Sequence, residues 1–274
     1  MTSAVMQGSS GGSLTRLSAE LGSAIEGGAD GAAVGASLFQ AADVLRTQPA
    51  LRRAATDPSS PSEAKSALAK GIFESRLDPA ATQLVASASA LRWASSRDLV
   101  AALEQLGVVA LVKAADAKGD GDRLEDELFR FGRAVNDNPQ LRDALSDPAR
   151  SVADKQALVR SLLEGRASDG TVRLAERSVS GVHLTVARAI AAYTRLAAET
   201  RNRLVALVRA ARPLTHDEHS RLGDVLARQY DRPVHLNVVE DPELIGGVRV
   251  EIGDQVIDGT IASRLDDARR RLVG

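Results

Sequence analysis

The sequence predicts a mainly α-helical protein that ends in a small α+β module. Between Leu14 and about Asn202, apolar residues recur three and four positions apart, which is the period of an amphipathic helix. From His235 onward the pattern changes to alternation with period two and is interrupted by glycines, as in short strands joined by tight turns. The helical part also repeats itself. We therefore expect two tandem helical-bundle copies, followed by a small β-sheet with two helices.

The amino-terminal part is predicted to begin with a flexible segment. Residues 1–13 are rich in Ser and Gly and lack the basic and apolar regions of a signal peptide, so we expect them to be a flexible lead-in. The first helix follows, and Gly27 and Gly28 interrupt it. Its apolar face consists of Leu14, Leu17, Leu21 and Ile25.

An internal repeat with an offset of 90 residues divides the helical part. Matching residues include the pairs Pro49 and Pro139, Asp57 and Asp147, Lys65 and Lys155, and Leu84 and Leu174. An unbroken common offset indicates a duplicated helical domain, and the bias of an Ala-, Leu- and Arg-rich chain is the alternative explanation. We expect copy 1 at residues 14–118 and copy 2 at residues 119–203, with the long helix Arg97–Ala115 serving both.

Residues 204–274 are predicted to form the α+β module. Thr215 and Glu218 have the spacing of a capping box, which marks the start of a helix. The last helix presents Ile261, Leu265, Ala268 and Leu272 on one face. Strands are predicted at Leu204–Ala211, His235–Val239, Gly247–Ile252 and Gln255–Asp258.

Turn residues in this module form its most distinctive pattern. Gly253 and Asp254 separate two short strands, and glycine tolerates the positive φ that a tight hairpin turn needs. A phosphate-binding role is disfavoured because Gly246-Gly247 precedes a strand instead of opening a helix. We expect a structural motif formed by Asp241, Pro242, Gly246, Gly247, Gly253, Asp254, Asp258 and Gly259.

Composition excludes several functional classes. The net charge of −1 leaves no basic surplus for nucleic acid, and the absence of cysteine excludes disulfides and thiolate chemistry. His216 and His219 lack a third metal ligand at suitable spacing, and we expect Glu125-Asp126-Glu127 to be a solvated helix face. No run of residues is apolar enough to span a membrane. We therefore expect no catalytic, cofactor or metal site, no nucleic acid and no transmembrane segment.

Residues 239–265 resemble the signature of the delta subunit of the F-type ATP synthase, which is related to the mitochondrial oligomycin-sensitivity-conferring protein. The spacing of the glycines, Asp258-Gly259 and the final helix all match together. Residues 128–202 resemble the helical bundle of the same family, through Asn138-Pro139-Gln140-Leu141 and the segment Asp147–Lys155. The duplicated bundle is a departure from the usual member and resembles the long bacterial form.

The resemblance implies a non-catalytic stator, or peripheral stalk, subunit. The bundle would hold amino-terminal helices of the alpha subunits, and the carboxy-terminal module would grip stalk subunit b. The extra copy is a further candidate for contacting b. Partner-contact candidates in the last helix are Leu265, Arg269 and Leu272. The expected location is the cytoplasmic face of the cell membrane, peripherally, as part of the ATP synthase complex.

Two other classes remain open from the residues alone. A free-standing helical adaptor that binds RNA or protein would need a basic stripe or exposed aromatic residues, and neither is visible. An enzyme would need convergent acid, base or nucleophile residues, and the sequence presents no such set.

Overall fold

A computed structural model describes residue 6 and residues 8–183, 185–244, 246–253 and 255–258. The chain divides into two compact units, Met1–Ala197 and Ala198–Gly274. In the first unit the helices are α1 Gly8–Glu26, α2 Gly31–Thr47, α3 Pro49–Thr56, α4 Ser62–Phe73, α5 Pro79–Ala90, α6 Ser96–Ala117, α7 Gly121–Asp137, α8 Pro139–Ser146, α9 Val152–Leu163, α10 Asp169–Ser178 and α11 Val186–Thr200. The mainly helical prediction is confirmed.

The helix boundaries of the first unit recur at the offset seen in the sequence. Helices α2 to α6 begin at Gly31, Pro49, Ser62, Pro79 and Ser96, and α7 to α11 begin 90 residues later at Gly121, Pro139, Val152, Asp169 and Val186. Local chemistry sets several of these starts, because proline has the fixed φ that suits the first helical position and removes an N–H that would be unpaired there.

Helix α6 contributes to two hydrophobic cores. Leu99, Leu103 and Leu106 pack into the core formed by α1 to α5. Val108, Leu111, Val112 and Ala115 pack into the core formed by α7 to α11, which Phe39 of α2 also joins. One helix thus lies between two bundles and is buried by both.

Small residues let α2 cross α6 at short range. A Cβ atom added to Gly35 would lie 2.9 Å from the carbonyl oxygen of Gly107, and one added to Gly107 would lie 2.5 Å from a ring carbon of Phe39. Glycine at these positions removes the side chain that would hold the two helices apart. The crossing therefore seats the Phe39 ring directly on the backbone of α6.

Helix α1 begins earlier than the predicted boundary of the lead-in. It begins at Gly8 and not at Leu14, and Ser10 and Ser13 are buried. The Ser10 hydroxyl donates to Asp98 Oδ2 at 2.6 Å, and the Ser13 hydroxyl donates to the Arg92 carbonyl at 2.7 Å. These bonds to the first turn of α6 and to the α5–α6 connection satisfy the polar side chains of the serine-rich segment, which is therefore part of the helix.

The second unit contains a four-stranded sheet and helix α12, His216–Tyr230. Its strands are β1 Leu204–Ala210, β2 Val234–Glu240, β3 Val248–Ile252 and β4 Gln255–Asp258, in the order β2-β1-β3-β4. Helix α12 makes the crossover between the parallel strands β1 and β2, while β3 pairs antiparallel with β1 and β4 pairs antiparallel with β3. Ala206, Val208, Leu226, Leu236, Val250 and Ile252 form the core.

Thr215 and Glu218 form the predicted capping box at the start of α12. Hydrogen bonds from Arg212 and from the backbone of Thr215 lower the pKa of Glu218 to about 2, so this carboxylate stays ionised and suits the amino terminus of the helix. Among the described residues, no helix has both the length and the apolarity that a bilayer crossing requires.

Candidate partner-binding sites

A groove runs along α6 between α2 and α10. We call it the interhelical groove and define it by two cavities of about 330 and 460 Å³ that share Leu111 and Arg173 in their linings. One wall carries residues of α2, the other residues of α9 and α10, and α6 forms the floor. The residues of α2 and α6 that line it are Ala32, Ala36, Phe39, Gln40, Asp43, Leu111, Ala114, Ala115 and the adjoining Lys118.

The groove combines a floor of small and apolar side chains with charged walls. Leu111 and Ala115 belong to the hydrophobic core beneath it, and Ala32 packs against the same core. On the α10 wall, Arg173 is exposed and makes a long hydrogen bond of 3.5 Å to the Ala32 carbonyl. Such a surface suits an elongated ligand with one apolar face, and an amphipathic helix is the common example.

A buried charged cluster lies at one end of this groove. The Arg177 side chain of α10 is 5 % exposed, and its Nε donates to the two carboxylate oxygens of Glu104 at 3.0 and 2.8 Å. Its Nη2 also pairs with Glu104, and its Nη1 donates to Asp43 Oδ2 at 2.7 Å. We call Asp43, Glu104 and Arg177 the junction cluster, since it joins α2, α6 and α10.

Aromatic residues surround the junction cluster. The Tyr193 hydroxyl of α11 donates to Glu104 Oε1 at 2.6 Å, and the guanidinium carbon of Arg177 lies 4.8 Å from the centre of the Phe39 ring. Burial and the Glu104 carboxylate raise the pKa of Tyr193, so the hydroxyl stays protonated. Burial opposes the charge of Arg177, but Glu104 and Asp43 outweigh it and raise its pKa. The cluster is therefore a charged guanidinium bound between two carboxylates.

The solvated face expected for Glu125-Asp126-Glu127 is wrong for both glutamates. Glu125 is fully buried, and Glu127 is 9 % exposed. Glu127 accepts hydrogen bonds from the Ser168 N–H at 2.8 Å, the Ser168 hydroxyl at 2.9 Å and the Thr171 hydroxyl at 2.7 Å. It thus caps the start of α10 from a helix 41 residues away in the chain. Sequence periodicity could not show this distant partner.

The Glu127 carboxylate has a lowered pKa. Burial acts to raise it, but the hydrogen bonds from Ser168, Thr171 and Arg123 outweigh that cost. Copy 1 has a related contact at the equivalent position, where the Ser37 hydroxyl accepts from the Asp78 N–H at 3.0 Å. Position 37 and the position 90 residues later thus each hold the start of a helix, α5 and α10 respectively.

Asp241 and Pro242 are the first residues of the turn motif expected in the second unit. Asp241 follows β2, and its N–H donates to the Ala210 carbonyl at 2.9 Å. Its Oδ1 accepts from the Glu243 N–H at 3.1 Å, across Pro242, and its Oδ2 lies 3.7 Å from Arg209 Nη1. The Asp241-Pro242 pair therefore closes a turn and ties it to β1.

Gly246 and Gly247 precede β3, and Gly247 has a φ of +83°. Gly253 follows β3 with a φ of +58°, and Ile252 pairs with Gln255 across a two-residue turn. These conformations favour glycine because it has no Cβ. Asp258 is the last residue of β4 and is in register with Arg249 of β3.

The remaining candidates in this module, Asp254, Gly259, Leu265, Arg269 and Leu272, lie outside the described residues. His216 and His219 are exposed at the start of α12. Within the part of the chain that the structure describes, no group of three His, Cys, Asp or Glu side chains is arranged to hold a metal ion.

Sequence reasoning missed the junction cluster. Glu104 lies between Leu103 and Leu106 in the middle of the apolar stripe of α6, and a carboxylate in that position was the available signal. Its partners follow 73 and 89 residues later in the chain, so no local sequence pattern identifies the side chains that it contacts.

The described chain thus combines a helical unit that carries a groove with a small unit built on a four-stranded sheet. A family model described as "ATP synthase delta (OSCP) subunit" matches residues 108–272, which is more than half of the chain. The chain belongs to the ATP synthase delta (OSCP) subunit family. Members of this family are structural subunits and not catalytic ones.

Sequence relatives extend the match into the amino-terminal copy. The ATP synthase subunit delta of a Nocardioides species is 52% identical over 243 residues, which cover 89% of this chain and 88% of the relative. That of Kineococcus radiotolerans is 44% identical and covers 90% of both chains. That of Thermobifida fusca is 38% identical over 270 residues and covers 98% of this chain and 100% of its own. The chain thus spans nearly the whole length of these relatives.

A chain of the Toxoplasma gondii mitochondrial ATP synthase hexamer also aligns with this structure. The likeness covers 61% of this chain and 95% of that one, with 20% sequence identity and a TM-score of 0.35. The family assignment rests on the sequence relatives and not on this likeness.

Proposed function

We propose that the chain is the stator subunit that links the catalytic alpha/beta head of a proton-translocating F-type ATP synthase to stalk subunit b. It holds the head against the torque of the rotor, so that proton flow is coupled to ATP synthesis. Family membership across both units carries this proposal. In this role the chain lies peripherally at the cytoplasmic face of the cell membrane, as part of the complex.

The interhelical groove is the docking site that we propose for an amino-terminal helix of an alpha subunit. An α-helix with its side chains is about 10 Å wide and needs small residues beneath it to approach closely. Ala32, Ala36 and Ala114 supply such residues along the groove. An apolar stripe of the docked helix would lie over Leu111, and its polar face would meet the charged walls.

The second unit is the proposed site for subunit b. Its sheet is held together by the Asp241 turn and the β3–β4 hairpin. The contact residues that we propose, Leu265, Arg269 and Leu272, belong to the helix that the sequence predicts after the sheet. Two docking sites on one chain raise the effective concentration of the second contact once the first has formed. A stator benefits from this, because its joint must persist through every rotation.

We propose the domain division of residues 14–118, 119–203 and 204–274, with α6 belonging to both helical copies. The extra copy is then a further surface for subunit b. Because α6 supplies buried residues to both cores, a fragment that lacks it would expose an apolar face. Binding experiments therefore need the full chain.

Groove docking is tested with the full chain and a synthetic peptide of the alpha-subunit amino terminus, by isothermal titration calorimetry. Gln40 is exposed on the α2 wall, so Gln40→Trp fills the groove without disturbing the core. Gln140→Trp makes the same change on the exposed surface of α8. We expect Gln40→Trp to weaken peptide binding and Gln140→Trp to leave it unchanged. Unchanged binding by Gln40→Trp would exclude docking in this groove.

The stator role is tested by removing the subunit from inverted membrane vesicles and adding back the purified chain. We expect removal to abolish ATP-driven proton pumping while the released head still hydrolyses ATP, and addition of the chain to restore pumping. A free-standing adaptor would migrate near 28.8 kDa and leave pumping intact. Pumping that survives removal would overturn the assignment.

A further inference from the structure

We propose that the junction cluster sets the spacing between α2 and α10 and thereby fixes the width of the interhelical groove. Asp43 belongs to the α2 wall and Arg177 to the α10 wall, and the two are joined at 2.7 Å. Both residues line the groove. The inference concerns the geometry of the groove and holds whatever ligand occupies it.

The cluster spans positions far apart in the chain. Arg177 lies 134 residues from Asp43 and 73 residues from Glu104. It therefore connects α2, which comes before α6, with α10, which comes after it. Asp43 comes before α6 in the chain and Arg177 comes after it, so their contact directly links the helices on the two sides of α6.

The cluster is not a feature of the repeat itself. At the 90-residue offset, Glu104 corresponds to Leu14, Arg177 corresponds to Ser87, and Asp43 corresponds to Arg133. None of the three charges recurs with its sign in the other copy. The two copies have therefore diverged at these positions, and the charges are present only where α2 faces α10. A charge set confined to the junction is expected if its task is to join the copies.

Charge pairing restricts the spacing more tightly than apolar packing does. Arg177 is a planar donor group that holds α10 on α6 through both oxygens of Glu104 and reaches α2 through its bond to Asp43. Separating α2 from α10 would break the Asp43 bond, so the Arg177 side chain, which is 5 % exposed, would keep only Glu104 as a partner within the cluster. Other spacings of α2 and α10 are therefore disfavoured.

Neighbouring residues hold Glu104 in place for this task. The Tyr193 hydroxyl donates to its Oε1 at 2.6 Å from α11. Gly181 leaves no room for a side chain, because a Cβ atom there would overlap Glu104 Oε1. The carboxylate is thus held by α11 and by the α10–α11 connection while Arg177 binds it from α10.

Groove width is measured by pulsed electron paramagnetic resonance on the full chain. The chain has no cysteine, so spin labels attach only at introduced positions. Thr47→Cys on α2 and Asp169→Cys at the start of α10 place the labels at exposed positions outside the cluster. We expect one narrow distance distribution in this labelled parent.

Asp43→Asn removes the charge that joins the α2 wall to Arg177. The Asp43 side chain is 38% exposed and Glu104 stays paired with Arg177, so this variant retains its fold, which circular dichroism verifies. We expect the label distance to broaden and shift by more than about 2 Å, which exceeds side-chain adjustment. Asp43→Glu retains the carboxylate, so we expect this variant to have the narrow distance distribution of the labelled parent. An unchanged distribution in Asp43→Asn would refute the proposal.

Arg46→Gln is the matched control. Arg46 pairs with Asp43 Oδ1 at 2.9 Å on the surface, and its loss leaves the Oδ2 contact with Arg177 intact. We expect the parent distribution in this variant. An equally broad distance distribution in Arg46→Gln would count against the proposal that the junction cluster sets the spacing. A distribution that stays broad in Asp43→Glu would also count against it. Peptide binding is measured separately, so a failure of this inference is distinct from a failure of groove docking.

Discussion

Glu104→Gln is expected to destabilise the helical unit far more than the loss of a surface ion pair. The substitution preserves the shape of the side chain but removes the charge that faces Arg177. Both side chains are almost fully buried, at 3% and 5 % exposure. The guanidinium would then keep only Asp43 as a charged partner.

The structure sets the size of the effect. Breaking a buried pair by removing one partner costs about 3–5 kcal/mol. In this variant Arg177 keeps its ion pair with Asp43, which is partly exposed to solvent. We therefore expect a loss near the lower end, about 3 kcal/mol. For a unit of this size, a loss of that magnitude lowers Tm by about 6–12 °C.

Equilibrium urea unfolding followed by tryptophan fluorescence measures this loss. The chain has a single tryptophan, Trp93, which packs against the core of α1 to α5 and donates its indole N–H to the Ala88 carbonyl at 2.8 Å. Its emission therefore reports unfolding of the helical unit, and linear extrapolation gives the free energy of unfolding.

A double-mutant cycle decides whether the charge pair is responsible. Arg177→Met in the Glu104→Gln background removes the guanidinium that has lost its Glu104 partner, so we expect the double variant to be more stable than the sum of the single losses by about 1–3 kcal/mol. Arg133→Gln, which breaks the exposed pair with Asp137, is the control and should cost less than about 1 kcal/mol. Additive losses in the cycle would refute the reasoning.

Three further predictions concern other parts of the chain. Gly107→Ala should destabilise the helical unit by up to about 2 kcal/mol, because its Cβ would overlap the Phe39 ring, and Phe39→Leu should relieve part of the loss in urea unfolding. Glu127 has a lowered pKa in the folded state, so its stabilisation is full above the unfolded value near 4.5 and is lost as pH falls through the folded pKa. Glu127→Gln should therefore flatten the acid side of the stability profile, and an unchanged acid slope would contradict this. Thr215→Ala should cost about 1 kcal/mol and speed hydrogen exchange in the first turn of α12, and equal exchange in both proteins would refute the capping role.

The sequence predicted most elements of the fold because their causes are local. Proline at the first position of α3 and α8, the Thr215 capping box and the positive-φ glycines all act within a few residues. The switch from helical period to alternation correctly located the sheet unit. Such signals depend on neighbours along the chain, and these are visible without a structure.

The candidate sites were predicted less completely. The turn residues Asp241 and Gly253 were found because their chemistry is local. Glu127 was expected on a solvated face and instead caps α10, since a carboxylate has the same sequence signal in both settings. The extension of α1 to Gly8 was also missed, because a run of Ser and Gly has low helical preference and is stabilised here by bonds to distant groups.

The sequence by itself determined the class of the protein, the repeat and the turns of the carboxy-terminal module. Only the tertiary structure decided that α6 is buried by two cores, that α2 and α10 enclose a groove, and that Arg177 joins Glu104 and Asp43 at one end of it. The physical reason is the distance along the chain between the residues that interact. Periodicity and capping are set within one or two turns, whereas an ion pair between residues 134 apart exists only after the helices have packed.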